Sequence, residues 1–261
     1  MKTALITGAS SGIGAVYAER LARRGYDLIL TGRDGAKLAA LAAQLEGSTG
    51  RKVDTITADL AVSADLRRIE QRLATDASIS MLVNNAGLGA VKPLIDSSLE
   101  ELDALVNVNV TALMRLTRAV APGLAARGEG AIINVSSIVA LKPELLNGTY
   151  GGSKAFVLAL TQSLHHELKD KGIQVQAVLP GVTATPFWDR AGHAVSNLPQ
   201  DWVMTPEDLV DAALAGFDQG ELVTVPSLPD LVDFNRMEEA RHALAGNLSR
   251  NKPGVRYLTA V

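Results

Sequence analysis

Residues 3–25 read TALITGASSGIGAVYAERLARRG, and the fold class turns on them. A short apolar run, TALIT from Thr3, meets a glycine-rich turn. The turn opens at once into a helical pattern over residues 13–24, which Gly25 stops. Strand, glycine turn, helix is the context in which glycines carry chemistry. They let the backbone turn tightly and come close to a pyrophosphate, and the first amides of the helix then face the anion. Within TGASSGIG the candidate contacts are Gly8, Ser10, Ser11, Gly12, Ile13 and Gly14. Their spacing is Gly-x-x-x-Gly-x-Gly rather than Gly-x-Gly-x-x-Gly, so a turn serving only packing stands as the other account.

Outward from this unit the pattern repeats. Further strand runs begin at Asp27 (DLILT), Lys52 (KVDTIT), Ser80 (SMLVN), Ala131 (AIINVS), Ile173 (IQVQAVL) and Leu222 (LVTV). Most are rich in Val, Ile and Leu without clean alternation, as in strands covered on both faces. Helical stretches lie at 37–45, at 66–73, at 99–126 with Pro122 interrupting it, and at 156–169 with Gly172 just beyond. This alternation predicts right-handed βαβ units and an α/β fold: a seven-stranded parallel sheet with helices on both faces. No repeat, low-complexity tract or linker divides residues 1–261, so one domain is expected. Two parts depart from the pattern. Residues 184–204 are irregular and hold Phe187, Trp188 and Trp202, and a C-terminal extension over 226–261 has a short helical stretch at 231–244.

The bulk properties exclude several classes of function. A formal net charge of −3 argues against nucleic acid or an anionic membrane as a partner. There is no cysteine, which removes disulfides, thiol nucleophiles and thiolate metal sites. The N-terminus lacks an apolar signal-peptide core and no run is long enough to span a bilayer, so a cytoplasmic protein is expected. No metal site is expected. His165 and His166 are adjacent and face different ways on a helix, and His193 and His242 are isolated. Ser249 and Lys252 form a Ser-x-x-Lys in a polar tail, where chance accounts for it.

The end of the second strand, LILTGRD, bears on which dinucleotide binds. An acidic residue there would hold a ribose 2′-hydroxyl, whereas an arginine accommodates a 2′-phosphate. Gly32 ends the strand and Arg33 follows; Asp34, one further on, reads equally well as the cap of the next helix. NADP(H) is therefore favoured over NAD(H). The alternative is an Arg33 that is only a solvated loop residue.

TGASSGIG, Asp59-Leu60 after the third strand, Asn84-Asn85-Ala86-Gly87 after the fourth, and INVSS followed by Tyr-x-x-x-Lys occur in this order. Together they resemble the short-chain dehydrogenase/reductase family over residues 3–185, an NADP-preferring single-domain type with a doubly wound Rossmann-type fold. By that resemblance the catalytic tetrad falls on Asn109, Ser137, Tyr150 and Lys154. Ser136 is then the strand-end neighbour of Ser137. The resemblance also assigns cofactor contacts to Asp59, Leu60, Asn85, Ala86 and Gly87, and to Tyr150 and Lys154. It adds the turn Pro180-Gly181-Val182-Thr183, whose threonine side meets the nicotinamide carboxamide. It implies that Lys154 holds the nicotinamide ribose and that Asn109 keeps a relay water in place. Homodimers or homotetramers are implied as well, through the helices at 99–126 and 156–169.

The chemistry points the same way. Hydride transfer to a carbonyl needs a proton for the developing alkoxide. Free tyrosine has a pKa near ~10, too high for easy proton exchange at neutral pH, and an ammonium one helical turn away favours the phenolate. Tyr150 and Lys154 are four apart, on one helix face. Ser137 would stabilise charge on the substrate oxygen. Leu88, Val139, Leu145, Leu146, Phe187, Trp188 and Trp202 lie in loops past the strand ends and make an apolar pocket. The expected substrate is a small or medium apolar ketone, aldehyde or alcohol. A nucleotide-sensing regulatory protein on the same scaffold is the competing function. Gly151 and Gly152, between Tyr150 and Lys154, call for close approach by cofactor, substrate loop or a neighbouring subunit.

Overall fold

The computed structural model describes residues 2–192 and 194–258. His193 lies outside the described residues. The chain groups into two compact units, Met1–Pro226 and Ser227–Val261.

The first unit is built on the opening stretch. β1 (Thr3–Thr7) is buried along its whole length, and α1 (Gly12–Arg23) follows the glycine turn directly. Then come β2 (Asp27–Gly32), α2 (Gly35–Thr49), β3 (Val53–Thr57), α3 (Ser63–Thr75) and β4 (Ile79–Asn84). The second half holds α4 (Leu99–Val106), α5 (Leu113–Arg127), β5 (Gly130–Val135), α6 (Gly148–Leu168) and β6 (Ile173–Val178). It closes with the single turn α7 (Phe187–Arg190), α8 (Pro206–Asp218) and the two-residue β7 (Val223–Thr224).

All seven strands are parallel, in the order β3-β2-β1-β4-β5-β6-β7. The order reverses between β1 and β4, and in open parallel sheets a reversal leaves a crevice at the carboxyl ends of the strands. The central strands β1, β2, β4, β5 and β6 bury both faces, whereas the edge strand β3 buries only Val53. Ala4, Ile6, Leu28, Leu30, Met81, Val83, Ile133 and Val135 pack with α1, α2 and α8 on one side. Leu5, Ile29, Leu82, Ile132 and Val175 pack with α3, α5 and α6 on the other. The blurred alternation in sequence has this cause.

Two helices differ from expectation. The stretch 99–126 does not break at Pro122, which sits inside α5. Pro122 and Arg118, whose carbonyl loses its helical partner to the ring, are both exposed, on the side of the helix that faces solvent. The break comes earlier, as a π-helical segment over Asn107–Ala112, rich in β-branched residues. α8 has no counterpart in the sequence reading, although its start carries a standard signature. Pro206 holds the first helical position and the Thr205 hydroxyl accepts from the Asp208 amide at 3.0 Å. The second unit holds α9 (Val232–Ala243), and none of its described residues is buried.

Beneath the crevice, β4 and β5 pair Asn84 with Asn134. Asn84 Nδ2 donates to Asn134 Oδ1 (2.9 Å) and to Thr117 Oγ1 on α5 (3.0 Å), and Asn134 Nδ2 donates to Thr161 Oγ1 on α6 (2.9 Å). This buried chain pins both helices to the sheet. Asn134→Ala should leave one buried Asn84 amide hydrogen unpaired, its bond to Thr117 remaining, and lower unfolding stability by about 1–3 kcal/mol. A urea midpoint unchanged from wild type would show that the chain holds nothing.

Candidate active site

The glycine turn is shaped by contact with the end of β4. Asn85 and Ala86 both donate their amides to Thr7 Oγ1 at 3.0 Å, and Asn85 Nδ2 returns bonds to the Thr7 and Gly8 carbonyls at 2.9 and 3.2 Å. Gly8 has φ +67°, and a Cβ there would stand 2.9 Å from the Ala86 Cα. A Cβ on Gly14 would strike the Gly8 carbonyl, so this glycine serves packing behind the turn and does not line the cleft. The turn opens on a helix without a cap. Ser11 makes no side-chain bond to the first amides of α1, and the first turn has no acidic residue. Those amides are left facing the crevice, where an anionic group would satisfy them.

At the end of β2, Thr31 Oγ1 is buried without a partner in the cleft wall. Arg33 is exposed on the same wall and has no hydrogen-bond or ion-pair partner among the described residues. Asp34 is spoken for. Its carboxylate caps α2 by accepting from the Lys37 amide at 3.0 Å, and that bond, with the Lys37 ammonium, holds its pKa low. Asp59 likewise bends its carboxylate onto the Ala61 amide at 2.9 Å.

Tyr150 and Lys154 lie in the first turns of α6, each 5% exposed. Lys154 Nζ is 5.9 Å from the Tyr150 ring centroid and donates to the Val135 carbonyl at 3.0 Å. Burial pushes the Tyr150 phenol up to about 12, against a hydrogen bond with Ser137 that lowers it, and pushes Lys154 down to about 8. Burial therefore outweighs the Ser137 hydrogen bond in setting the phenol. Ser137 Oγ accepts from the Val139 amide at 3.3 Å and donates to the Pro180 carbonyl at 3.4 Å, lining the cleft beside Tyr150. Ser136 is a strand-end neighbour, its hydroxyl donated to the Lys154 carbonyl at 2.7 Å.

Asn109 sits in the π-helical segment behind the cleft rather than on its surface. Its Oδ1 accepts from the Leu88 amide (2.8 Å), and its Nδ2 donates to the Leu88 carbonyl (2.9 Å) and to Ser153 Oγ (3.1 Å). Both amide hydrogens are thus committed to holding the loop after β4 against α6. Gly151 meets the substrate loop, since a Cβ there would stand 3.0 Å from the Pro143 Cβ. Gly152 is exposed with open space around it, and nothing in the structure explains it.

One cleft of about 1200 Å³ gathers these residues, larger than a single small-ligand pocket and roomy enough for a dinucleotide with a second molecule. Except for Gly14 and Asn109, the residues expected at the site line it, from Gly8 through Arg33, Asp59, Leu60 and Asn85–Gly87 to Pro180–Thr183. The apolar residues Leu88, Val139, Leu145, Leu146, Phe187, Trp188 and Trp202 line it too. Phe187 tilts against Tyr150 with centroids 6.0 Å apart, in a slot that exists because Gly89 has no side chain. Trp188 is anchored, its Nε1 donating to the Thr183 carbonyl at 3.0 Å, while Trp202 stands 65% exposed at the rim. Residues 184–204 close on themselves at the neck, where Ala184 donates to Met204 and Met204 donates to Val182, each at 2.9 Å.

Sequence reasoning misses Thr31, Ala104 and Val108 in the lining. Ala104 and Val108 are four apart on one helical face, a spacing that was available. Thr31 carries no such signal. Among the described residues, no three His, Asp or Glu side chains gather as a metal site, and no helix is long and apolar enough to cross a membrane.

Comparison with known proteins matches residues 2–195 to the short chain dehydrogenase family. A short-chain dehydrogenase from Sphingobium yanoikuyae, solved in complex with NADPH, is 47% identical and superposes with a TM-score of 0.96 over 98% of this chain and 100% of its own. The bulky-bulky ketone specific alcohol dehydrogenase of Comamonas testosteroni is 45% identical, with a TM-score of 0.91 over 99% of each chain. An uncharacterised oxidoreductase of Staphylococcus saprophyticus is 32% identical over 86% of this chain and 94% of its own.

Burial of Lys154 has a signature in stability. Its folded pKa, about 8, lies below the ordinary value of 10.5. Between those pH values the unfolded chain holds the proton and the folded chain does not, so stability from this group rises with pH across that window. Measured against Lys154→Met, the wild type should gain about 1–2 kcal/mol between pH 7.5 and pH 9.5 in urea unfolding. A pH-independent difference between the two proteins would place Lys154 in water instead.

Proposed function

The chain belongs to the short-chain dehydrogenase family, and from that premise we propose that it is an NADP(H)-dependent oxidoreductase interconverting an apolar ketone and its secondary alcohol. One observation carries the reading: Ser137, Tyr150 and Lys154 line the same cleft as the uncapped start of α1. The residues fit a dinucleotide phosphate. The open amides of α1 suit the pyrophosphate, the unpartnered Thr31 hydroxyl offers a polar contact in the wall, and Arg33 is free for a 2′-phosphate while Asp34 is committed to its cap. NADPH bound to the similar Sphingobium protein supports this choice.

When bound, the nicotinamide supplies or accepts the hydride. The protein handles the proton and the charge. In reduction the Tyr150 hydroxyl gives its proton to the carbonyl oxygen as negative charge gathers there, and in oxidation the phenolate takes it back. Ser137 directs its hydroxyl at the same oxygen and stabilises that charge. Lys154, still mostly cationic at neutral pH with a pKa of about 8, stabilises the phenolate once the proton has left. Asn109 acts on the site by fixing the Leu88 backbone at its edge.

The substrate reading rests on the pocket. Leu88, Val91, Leu146, Phe187, Trp188 and Trp202 line the cleft that holds Tyr150, and Leu88, Leu146 and Phe187 pack in one apolar cluster with it. A ketone with a bulky group on each side suits that space, and the specificity in the name of the Comamonas protein supports it. Self-association as a homodimer or homotetramer fits the exposed apolar residues Leu99, Val106 and Met114 along α4 and α5.

Tyr150→Phe should cut ketone reduction by about 100-fold or more while NADPH affinity stays near wild type. Unimpaired turnover would remove Tyr150 from the chemistry, and tight NADPH binding by a wild type inert to every ketone would favour the regulatory function. Arg33→Ser should lower the NADPH-to-NADH ratio of kcat/KM by about 10–100-fold, the value of a charge-assisted phosphate contact. A ratio that does not move returns Arg33 to the solvent.

A further inference from the structure

Asn147 caps the helix that carries Tyr150, and it does more than cap. The residue is only 3% exposed. Oδ1 accepts from the amides of Thr149 (2.8 Å) and of Tyr150 itself (3.4 Å). Nδ2 points away from the helix and donates to the Lys92 carbonyl at 2.7 Å and to Ser97 Oγ at 3.3 Å. Those two acceptors bracket a 3-10 turn at Leu94–Asp96, which is already closed by a bond from the Ser97 hydroxyl to the Pro93 carbonyl at 3.0 Å. Lys92 follows Val91, which lines the cleft. One buried amide thus joins a pocket wall to the backbone of the residue that bears the phenol.

We infer that Asn147 is a positioning residue that holds the 92–97 turn, and with it Val91 of the cleft wall, against the start of α6 in one relative placement, so that a substrate resting on Val91 meets the Tyr150 hydroxyl. The inference rests on Tyr150 being the proton donor, as proposed above. Capping alone does not require asparagine, because serine caps a helix start about as well. Serine, however, is too short and has too few donors to cap the helix and also reach the Lys92 carbonyl. The role also explains why the amide is buried: a tether in water would exchange its partners for solvent.

Asn147→Ser separates the two roles, since it keeps a cap and removes the tether. Its KM for a ketone carrying a ring on each side of the carbonyl should rise about tenfold, the worth of one hydrogen bond, while NADPH affinity and the KM for a small methyl ketone stay near wild type. Hydrogen exchange at residues 92–98 should quicken by about tenfold or more, with residues 155–168 unaffected. Asn147→Ala, which loses the cap as well, should add a loss in kcat. Wild-type exchange at 92–98 in Asn147→Ser would overturn the tether, and faster exchange with an unchanged KM for both ketones would overturn its role in positioning. If the wild type reduces neither ketone, the functional proposal falls, and with it the positioning role; the exchange measurement still decides whether the tether exists.

Discussion

The Thr7 hydroxyl takes the amides of both Asn85 and Ala86, and the site depends on that double acceptance. Where strand order reverses, the β1–β4 ladder runs only as far as Ile6 opposite Val83. The Thr7 side chain continues the junction past the ladder, and Asn85 reinforces it by bonding back to the Thr7 and Gly8 carbonyls. The turn holding Gly8 can then be positioned against Ala86 with no room for a Cβ. The start of α1 on one side of the crevice and Gly87–Leu88 on the other inherit their separation from this junction. Asn109 grips Leu88 from behind, which carries the constraint across to α6 through Ser153.

Behind the surface of the cleft, buried polar side chains pair with one another and with backbone, Asn84 Oδ1 excepted. Asn84, Asn134, Thr117 and Thr161 form a buried chain under the strand ends, and Ser136 and Ser153 turn their hydroxyls onto backbone carbonyls of α6. Tyr150 and Lys154 are each 5% exposed, and burial has opposite effects on the two. It raises the phenol and lowers the ammonium, so each is biased toward its neutral form. A neutral phenol is the form that can give a proton, while a lysine with a pKa of about 8 keeps enough charge at neutral pH to stabilise what remains.

Much of this is readable from residues 3–25 and their repeats because the relevant signals are local. A glycine turn between strand and helix is contiguous, and so is the i, i+4 pair Tyr150 and Lys154. Strand candidates survive because parallel strands buried on both faces are unbroken apolar runs. What escapes is set by distant contacts. The commitment of Asn109 to Leu88, the seating of Phe187 over Gly89 and the grip of Asn147 on Lys92 join residues 21, 98 and 55 positions apart. Helix α8 is a different case: Thr205-Pro206 announces it, but the irregular stretch before it draws attention away. The π-helical segment has only its β-branched composition to mark it, and that composition is common in ordinary helices.

The neck of the 184–204 loop has a consequence for how such a protein can change. It is closed by backbone bonds, between Ala184 and Met204 and between Met204 and Val182, which make no demand on side-chain identity. Lengthening a flexible loop is also cheap, since doubling its length adds only about 0.6 kcal/mol of closure entropy. Mutation can therefore rewrite the inside of the loop, or insert into it, while the strand-end residues that handle the proton stay where they are. For the part of the pocket that this loop supplies, selection for a new substrate then acts on a stretch of the gene apart from Ser137, Tyr150 and Lys154.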